Sequence, residues 1–437
     1  MRLNVKGLNE KHGDAPVLFC VFARLDRREK KKIDLADKQR YGDTRFQIIL
    51  MLSVVHESPV FRQEHRMQTS LKQARRSAGF YRQAPRRWAT GVFVFGLSAL
   101  CPGWAAPIRN VILCIGDGMG PEQVKAAHCY AGTNLVFETF PYQSRLTTAS
   151  AGGDVTDSAA AATALSTGCK VYNGVLALAY PGDGSELETL LEHFSKLDKS
   201  TGLVTTSYLT DATPASFGAH EPSRDNHTEI ANDYFVQTRP KVLLGGGGYG
   251  MDPFAAEAAG YRVVTDAVSL MELRGLPNDQ PVAGLFGEGP MPYVYDGLGD
   301  LPSLPQMVGV ALGLLVSDPD GFFLMVEGGR IDHACHVNDL GRCVAEALAF
   351  DEAVRVVVAW AAGRSDTLVV VTADHETGGL TVLADNGRGF LPDVSWGTGG
   401  HTAMPVPVYG AGVNAAQVAS LSDNTEFRGV ACSTALM

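Results

Sequence analysis

The sequence predicts an α/β fold in which a mostly parallel central sheet is flanked by helices on both faces. Two observations carry this. From Pro107 onward, apolar runs of strand length alternate with helical stretches, the pattern of βαβ units. Three of those runs also lead into acidic residues, and in a parallel sheet ligands gather beyond the carboxyl ends of the strands. A length of 437 residues suits a large one-sheet enzyme, and 45% hydrophobic with 19% charged residues is ordinary for a protein with a sizeable core.

The elements follow in order. Asn110–Ile115 is an apolar strand ending at Gly116-Asp117-Gly118. Ser158–Ser166 is Ala-rich and helical, closed by Thr167-Gly168. Glu186–Leu197 has helical periodicity, and Gly202–Ser207 and Lys241–Leu244 are strands, the latter before four glycines. The Gly- and Pro-rich stretch Gly284–Pro305 reads as a loop-rich insertion. Leu304–Val316 is helical, Phe322–Val326 a strand, Asp339–Trp360 a long helix, and Thr367–Thr372 and Val406–Tyr409 late strands.

The net charge of −10 conceals a split. Residues 1–106 hold 20 Lys and Arg against 9 Asp and Glu, leaving 17 against 38 for the rest. An acidic body argues against nucleic acid as a specific partner, since phosphate backbones need a basic footprint. It does not exclude a small phosphate substrate, because bound metal ions invert the local field. Residues 85–106 read as a secretory signal: Arg86 and Arg87, an apolar run from Trp88 to Cys101, then Gly103-Trp104-Ala105-Ala106, with cleavage expected after Ala105. The run is shorter than the roughly 20 residues of a spanning helix. Residues 1–84 carry no legible motif; translation from Met67 is the expectation, with residues 1–66 a start-site artefact. The body, 107–437, is expected to be periplasmic or secreted, where disulfides are permitted. Its six cysteines show no Cys-x-x-Cys pair and no assignable pairing.

The chemistry-bearing residues cluster at strand ends. Asp117 follows the first strand, Glu327 the Phe322–Val326 strand, and Asp374-His375 the Thr367–Thr372 strand. One such acid reads as a turn or a helix cap; three together are harder to explain that way. Asp332 and His336 are four apart and share a face if helical, a nitrogen and oxygen pair that suits zinc, while Glu327 offers hard oxygen for magnesium. Ser158 follows Asp157 and opens the Ala-rich helix. A helix cap is the plain reading. The same geometry also stabilises an alkoxide and an incoming phosphate. No Gly-x-Ser-x-Gly elbow surrounds Ser158, so a metal would have to activate the hydroxyl.

Gly116-Asp117-Gly118-Met119-Gly120, the segment Thr156–Gly168, the Glu327–His336 block, the Thr372–Gly379 block and Gly399-Gly400-His401-Thr402, in that order, together resemble the alkaline phosphatases from about Asn110 to near the C-terminus. The resemblance implies a three-layer α/β sandwich holding two Zn2+ and one Mg2+. Asp332, His336 and His401 match ligands of the first zinc, and Asp117, Asp374 and His375 those of the second, which also holds Ser158. Asp117, Thr213 and Glu327 match the magnesium ligands, and Asp157 is counted with the metal-binding residues. Arg224 matches the phosphate-clamping arginine, while Asp211 and His333 match positions that reach phosphate or the magnesium site through water. The activity implied is two-step hydrolysis of small phosphate monoesters through a phosphoserine on Ser158. Inorganic phosphate is product and inhibitor. A homodimer is one assembly the family offers, though the short span between Arg224 and Glu327 leaves oligomerisation open. The alternatives are a phosphodiesterase of the same superfamily or a non-catalytic metal- or phosphate-binding protein. The Cys/Ser-x-Pro-x-Arg motif of sulfatases is absent around Ser158.

Overall fold

A nine-stranded sheet organises the residues that the computed structural model describes, 108–275 and 280–433. The expected signal at 85–106, the extension 1–84 and the start at Met67 lie outside them. The strands are β1 (Asn110–Gly116), β2 (Tyr142–Leu146), β3 (Ser200–Tyr208), β4 (Val242–Gly246), β5 (Arg262–Val264), β6 (Val282–Leu285), β7 (Phe322–Gly328), β8 (Thr367–Thr372) and β13 (Val406–Gly412). Between β8 and β13 come the short strands β9 (Glu376–Thr377), β10 (Thr381–Ala384), β11 (Asp393–Ser395) and β12 (His401–Thr402). The order across the main sheet is β2-β13-β8-β1-β7-β3-β4-β6-β5. All its pairings are parallel except those of β13, which runs against both β8 and β2.

The central strands are continuous apolar runs because both faces are covered. Every residue of β1, β7 and β8 is buried. Successive side chains of β7 show the two layers directly. Phe323 stacks on Phe194 and Phe217, with ring centres 5.4 and 5.9 Å apart, while Phe322 meets Trp360 on the opposite face at 5.3 Å. The helices used below are α1 (Pro121–Ala131), α2 (Ser158–Thr167), α3 (Ala212–Gly218), α4 (Leu304–Leu315), α5 (Arg330–His336) and α6 (Leu340–Ala361). Helices α1, α4 and α6 pack on the Phe322 side, and α2 and α3 on the other. Phe323→Ala removes a ring from the stacked set and is expected to cost about 3–5 kcal/mol. Urea melts would read this as a lower midpoint at unchanged slope.

Register brings the strand ends level. Ile115 pairs with both Glu327 and Thr372, and Glu327 pairs with Thr205. The acids after β1, β7 and β8 therefore open onto one edge. One expected helix is shorter than its periodicity suggests. Glu186–Leu197 is helical only over Leu190–Ser195. Thr189 and Glu192 form a capping box that fixes the start, and Glu186 is held in an extended bridge to Leu178.

Candidate active site

Asp117 leaves β1 at its carboxyl end and is buried. Gly118 then turns at φ +67, where a Cβ would meet the Asp332 and Thr377 oxygens at 2.8 Å, so only glycine lets the chain pass. Asp374 and His375 leave β8 alongside. One Asp374 oxygen accepts from the amides of Gly118 (3.1 Å) and His375 (2.8 Å). The other lies 3.1 Å from His375 Nε2, and an Asp117 oxygen lies 3.5 Å from the same nitrogen.

His375 Nε2 is also 3.2 Å from Ser158 Oγ. Ser158 is the first residue of α2, a ten-residue helix whose N-terminus opens on the cluster. The four alanines that follow it are buried; their small side chains let α2 lie close against α3. His401 arrives from far along the chain because the β9–β12 ladder pairs it with Thr377. Its ring stacks on His375 with centres 3.6 Å apart.

Asp332 and His336 share a face of α5, with a carboxylate oxygen 3.2 Å from His336 Nε2 and the other 3.6 Å from His401 Nε2. His336 Nδ1 is tied to the Gly399 carbonyl at 2.8 Å and His401 Nδ1 to that of Thr156 at 2.9 Å. Carbonyls accept only, so each Nδ1 carries hydrogen; a neutral ring then turns an Nε2 lone pair inward and a protonated ring an Nε2–H. The two Nε2 atoms face each other 3.1 Å apart. A proton or a metal cation must sit between such lone pairs. The Asp332 hydrogen bond pushes His336 up to about 9, which shows how strongly this point attracts positive charge.

Thr377 bridges the two halves. Its hydroxyl donates to Asp332 and lies 3.2 Å from His375 Nδ1. Burial raises Asp332, but the His336 hydrogen bond and the surrounding histidines hold it below the usual carboxylate range, so it is an ionised acceptor. With its one proton given to Asp332, Thr377 accepts from His375 Nδ1–H. That leaves the His375 Nε2 lone pair toward Ser158, Asp117 and Asp374. Thr377→Val is expected to weaken metal binding about 10–100-fold, with Thr377→Ser close to wild type; competition against a chromophoric chelator measures both.

Glu327 is fully buried beside β3 and accepts from Thr205. Burial and then the Asp211 charge push it up to about 8, and burial with Asp374, Asp332 and Glu327 raises Asp117 well above its ordinary value. Among the described residues, one oxygen each of Asp117, Thr213, Glu327 and Asp374 is buried without a hydrogen-bond partner. Orphaned buried oxygens are costly, and oxygen donors of this kind suit a hard cation. The donor set thus fits metal: Asp332, His336 and His401 form one group of converging ligand atoms, and Asp117, Asp332 and His375 another.

Arg224 has its two terminal nitrogens held by Asp157 (3.3 Å) and Asp211 (3.1 Å). Asp211 also accepts from Ser207 at 2.6 Å and caps α3. Two of the expected site residues have further partners here. Asp157, counted with the metal-binding residues, has its oxygens engaged by the amides of Ala160 (3.0 Å) and Gly174 (2.9 Å) and by Arg224. It is an α2 cap that anchors the arginine. His333 sits 2.5 Å from Arg330, whose guanidinium covers the Tyr293 ring at 3.8 Å. Its hydrogen bonds among the described residues do not include Asp211, and burial lowers its pKa, so it is neutral near pH 7. The sequence reading missed Thr377; its place two residues beyond His375 in a short strand, on the same face as the histidine, was the available signal.

Comparisons with known proteins point to one family. The family model for alkaline phosphatase matches residues 108–391. Alkaline phosphatase 3 of Bacillus subtilis is 42% identical over 298 residues, covering 64% of this chain and 63% of that protein. The chain thus spans somewhat less than two thirds of the length of that relative, and 65% of Bacillus subtilis alkaline phosphatase 4. The alkaline phosphatase of Escherichia coli is 31% identical over 399 residues, covering 73% of this chain and 84% of that protein. Among solved structures, the cold-active alkaline phosphatase of a psychrophilic Shewanella superimposes with a TM-score of 0.68 at 29% identity, covering 74% of this chain and 99% of that one. A His-to-Asp mutant of the TAB5 alkaline phosphatase, with magnesium in its M3 site, gives 0.67 at 29% identity over 76% of this chain and 99% of that one. By motif, fold and sequence, the chain belongs to the alkaline phosphatase family.

Proposed function

We propose that this chain is an exported phosphomonoesterase that hydrolyses small phosphate monoesters at a site for two Zn2+ and one Mg2+, with Ser158 as nucleophile. The observation that carries the reading is Ser158 Oγ at a helix N-terminus, 3.2 Å from His375 Nε2, a ring that Asp117 and Asp374 also approach, and directly after Asp157, which holds Arg224. Asp332, His336 and His401 would hold one zinc; Asp117, Asp374 and His375 the other; Asp117, Thr213 and Glu327 the magnesium. The nitrogen and oxygen mixture of the first two sets suits zinc and the all-oxygen third suits magnesium; the bound magnesium of the TAB5 mutant supports the latter. When bound, these ions lower the pKa of a coordinated hydroxyl and balance charge on the transferring group.

The protein's own residues do the rest. The Ser158 Oγ–P bond forms as the bond from phosphorus to the substrate alcohol breaks, and water later cleaves the Oγ–P bond to release phosphate. Backbone amides at the start of α2 face the phosphoryl oxygens. Arg224 offers a planar fork that matches two of those oxygens, and Asp157 and Asp211 hold the fork in place before substrate arrives. Burial lowers the Arg224 pKa, but Asp211, Asp157 and Asp117 outweigh it, so the guanidinium stays charged. Product phosphate should inhibit by occupying the same clamp. No helix among the described residues is long and apolar enough to cross a membrane; export rests on the signal-like segment. A homodimer is the assembly the family suggests, and sedimentation tests it.

The test is turnover of p-nitrophenyl phosphate against its bis-aryl diester, by native, EDTA-stripped and metal-restored protein. The reading expects monoester preference, loss on stripping and recovery with zinc plus magnesium. Diester preference would move the assignment to a phosphodiesterase; no turnover of either by folded, metal-loaded protein would leave a binding protein. Arg224→Ala is expected to cut monoester kcat/KM by about 10²–10³-fold, with Arg224→Lys in between.

A further inference from the structure

Two thiols outside the reaction path lie against each other directly behind the site. Cys335 sits on α5 between Asp332 and His336, and Cys343 is in the first turn of α6. Their Sγ atoms are 3.4 Å apart, and both residues are fully buried. The other polar contact of Cys335 is a long one, 3.9 Å from Gln123 Nε2. The helix α5 has only seven residues, too short to hold itself in water, yet it must fix Asp332 and His336 to within a few tenths of an ångström for a metal. Packing against α6 does this, and the two sulfurs lie in that contact.

We propose that Cys335 and Cys343 form a disulfide when the chain matures under oxidising conditions, a cross-link that ties the ligand-bearing helix to α6. The reaction is thiol–disulfide exchange with a small-molecule or protein disulfide. One cysteine thiolate attacks that disulfide and displaces one thiol; the second then attacks the mixed disulfide at the protein sulfur and displaces the other. Two protein thiols lose two electrons, and the oxidant disulfide becomes two thiols that take up the protons. Both thiols are fully buried in the folded chain, so exchange belongs to folding, before the pair is enclosed. Once closed, the bond resists reductants that cannot reach it. The inference rests on the export reading only for where the oxidant comes from, and an in vitro redox buffer removes that dependence.

The full-length chain would be refolded in oxidised and reduced glutathione, alkylated, and digested with trypsin without reduction. Cys335 and Cys343 fall in adjacent tryptic peptides, Ile331–Arg342 and Cys343–Arg355. The expected result is one linked species, two hydrogens lighter than the sum, that separates only when reductant is combined with denaturant. Exposed Cys169 should carry the alkyl label throughout. Cys343→Ala refolded in the same buffer should melt several degrees lower than wild type and, unlike wild type, give the same melting temperature with or without prior oxidation. Both peptides fully alkylated in the unreduced, folded protein would overturn the proposal, as would pairing of either cysteine elsewhere. Neither outcome depends on enzymatic activity.

Discussion

Ser158→Ala is expected to lower kcat for phosphate monoesters by at least about 10³-fold, or about 4 kcal/mol of transition-state stabilisation. Among the described residues, the Ser158 hydroxyl stands at the α2 N-terminus and meets His375 Nε2. Stability should barely change. Alanine is a good helix former at this position, and the cap that starts α2 belongs to Asp157, not Ser158. Phosphate binding should persist through Arg224. Melting temperature, phosphate affinity and single-turnover rate measured on one preparation separate the nucleophile from its surroundings. Asp157→Ala should behave in the opposite way. It removes a cap, at about 1 kcal/mol, and frees one side of Arg224, so stability and phosphate affinity fall together.

Metal removal is the second large effect. Asp117, Glu327, Asp332 and Asp374 are buried together with Asp211 close by. Stripping should abolish turnover and lower the melting temperature, because a ligand that binds only the folded state stabilises it by mass action. The pH dependence of the stripped protein has a definite sign. Glu327 has an ordinary value of 4.5 and is pushed up to about 8 when folded, and Asp117 is raised in the same direction. Between those values the folded state binds more protons than the unfolded one, so stability falls as pH rises. His336, raised to about 9, adds the same sign above its ordinary 6.5. His401 and His333, both lowered, oppose it near neutrality. The net expectation is a stripped protein that melts several degrees lower at about pH 8 than at about pH 5. Metal-loaded protein should show a shallower decline, since the ions keep the site's carboxylates ionised, while Glu346 and Asp351, raised by burial to about 7 and about 6, still titrate in both forms. Thermal melts across that range, with and without EDTA, check it.

The legible parts of this fold were those whose signal is local. β1, β7 and β8 could be read because strands covered on both faces must be apolar throughout. The acids that follow them could be read because polar residues at the ends of such runs need a reason. Helix ends were less secure. Glu186–Leu197 had the right period, yet the Thr189–Glu192 capping box and the extended bridge at Glu186 cut it short. The direction of β13 was not legible, since a short apolar strand looks the same either way. The capping and anchoring role of Asp157 was not legible because its partners, Gly174 and Arg224, lie 17 and 67 residues away. Thr377 was missed because its role depends on Asp332 and His375 meeting across one hydroxyl. His401 was named chiefly by family resemblance; the ladder that carries it pairs two-residue strands, too short to leave a periodic trace.

The most direct test of the central claim is to quench the metal-loaded enzyme in acid during turnover of a phosphate monoester and to search for phosphate on the peptide Leu146–Lys170, which contains Ser158. Fragmentation that places one phosphoryl group on Ser158, absent from Ser158→Ala and from EDTA-treated protein, is the predicted result. Undiminished turnover by Ser158→Ala, or a phosphoryl group found reproducibly on another side chain, would contradict the account.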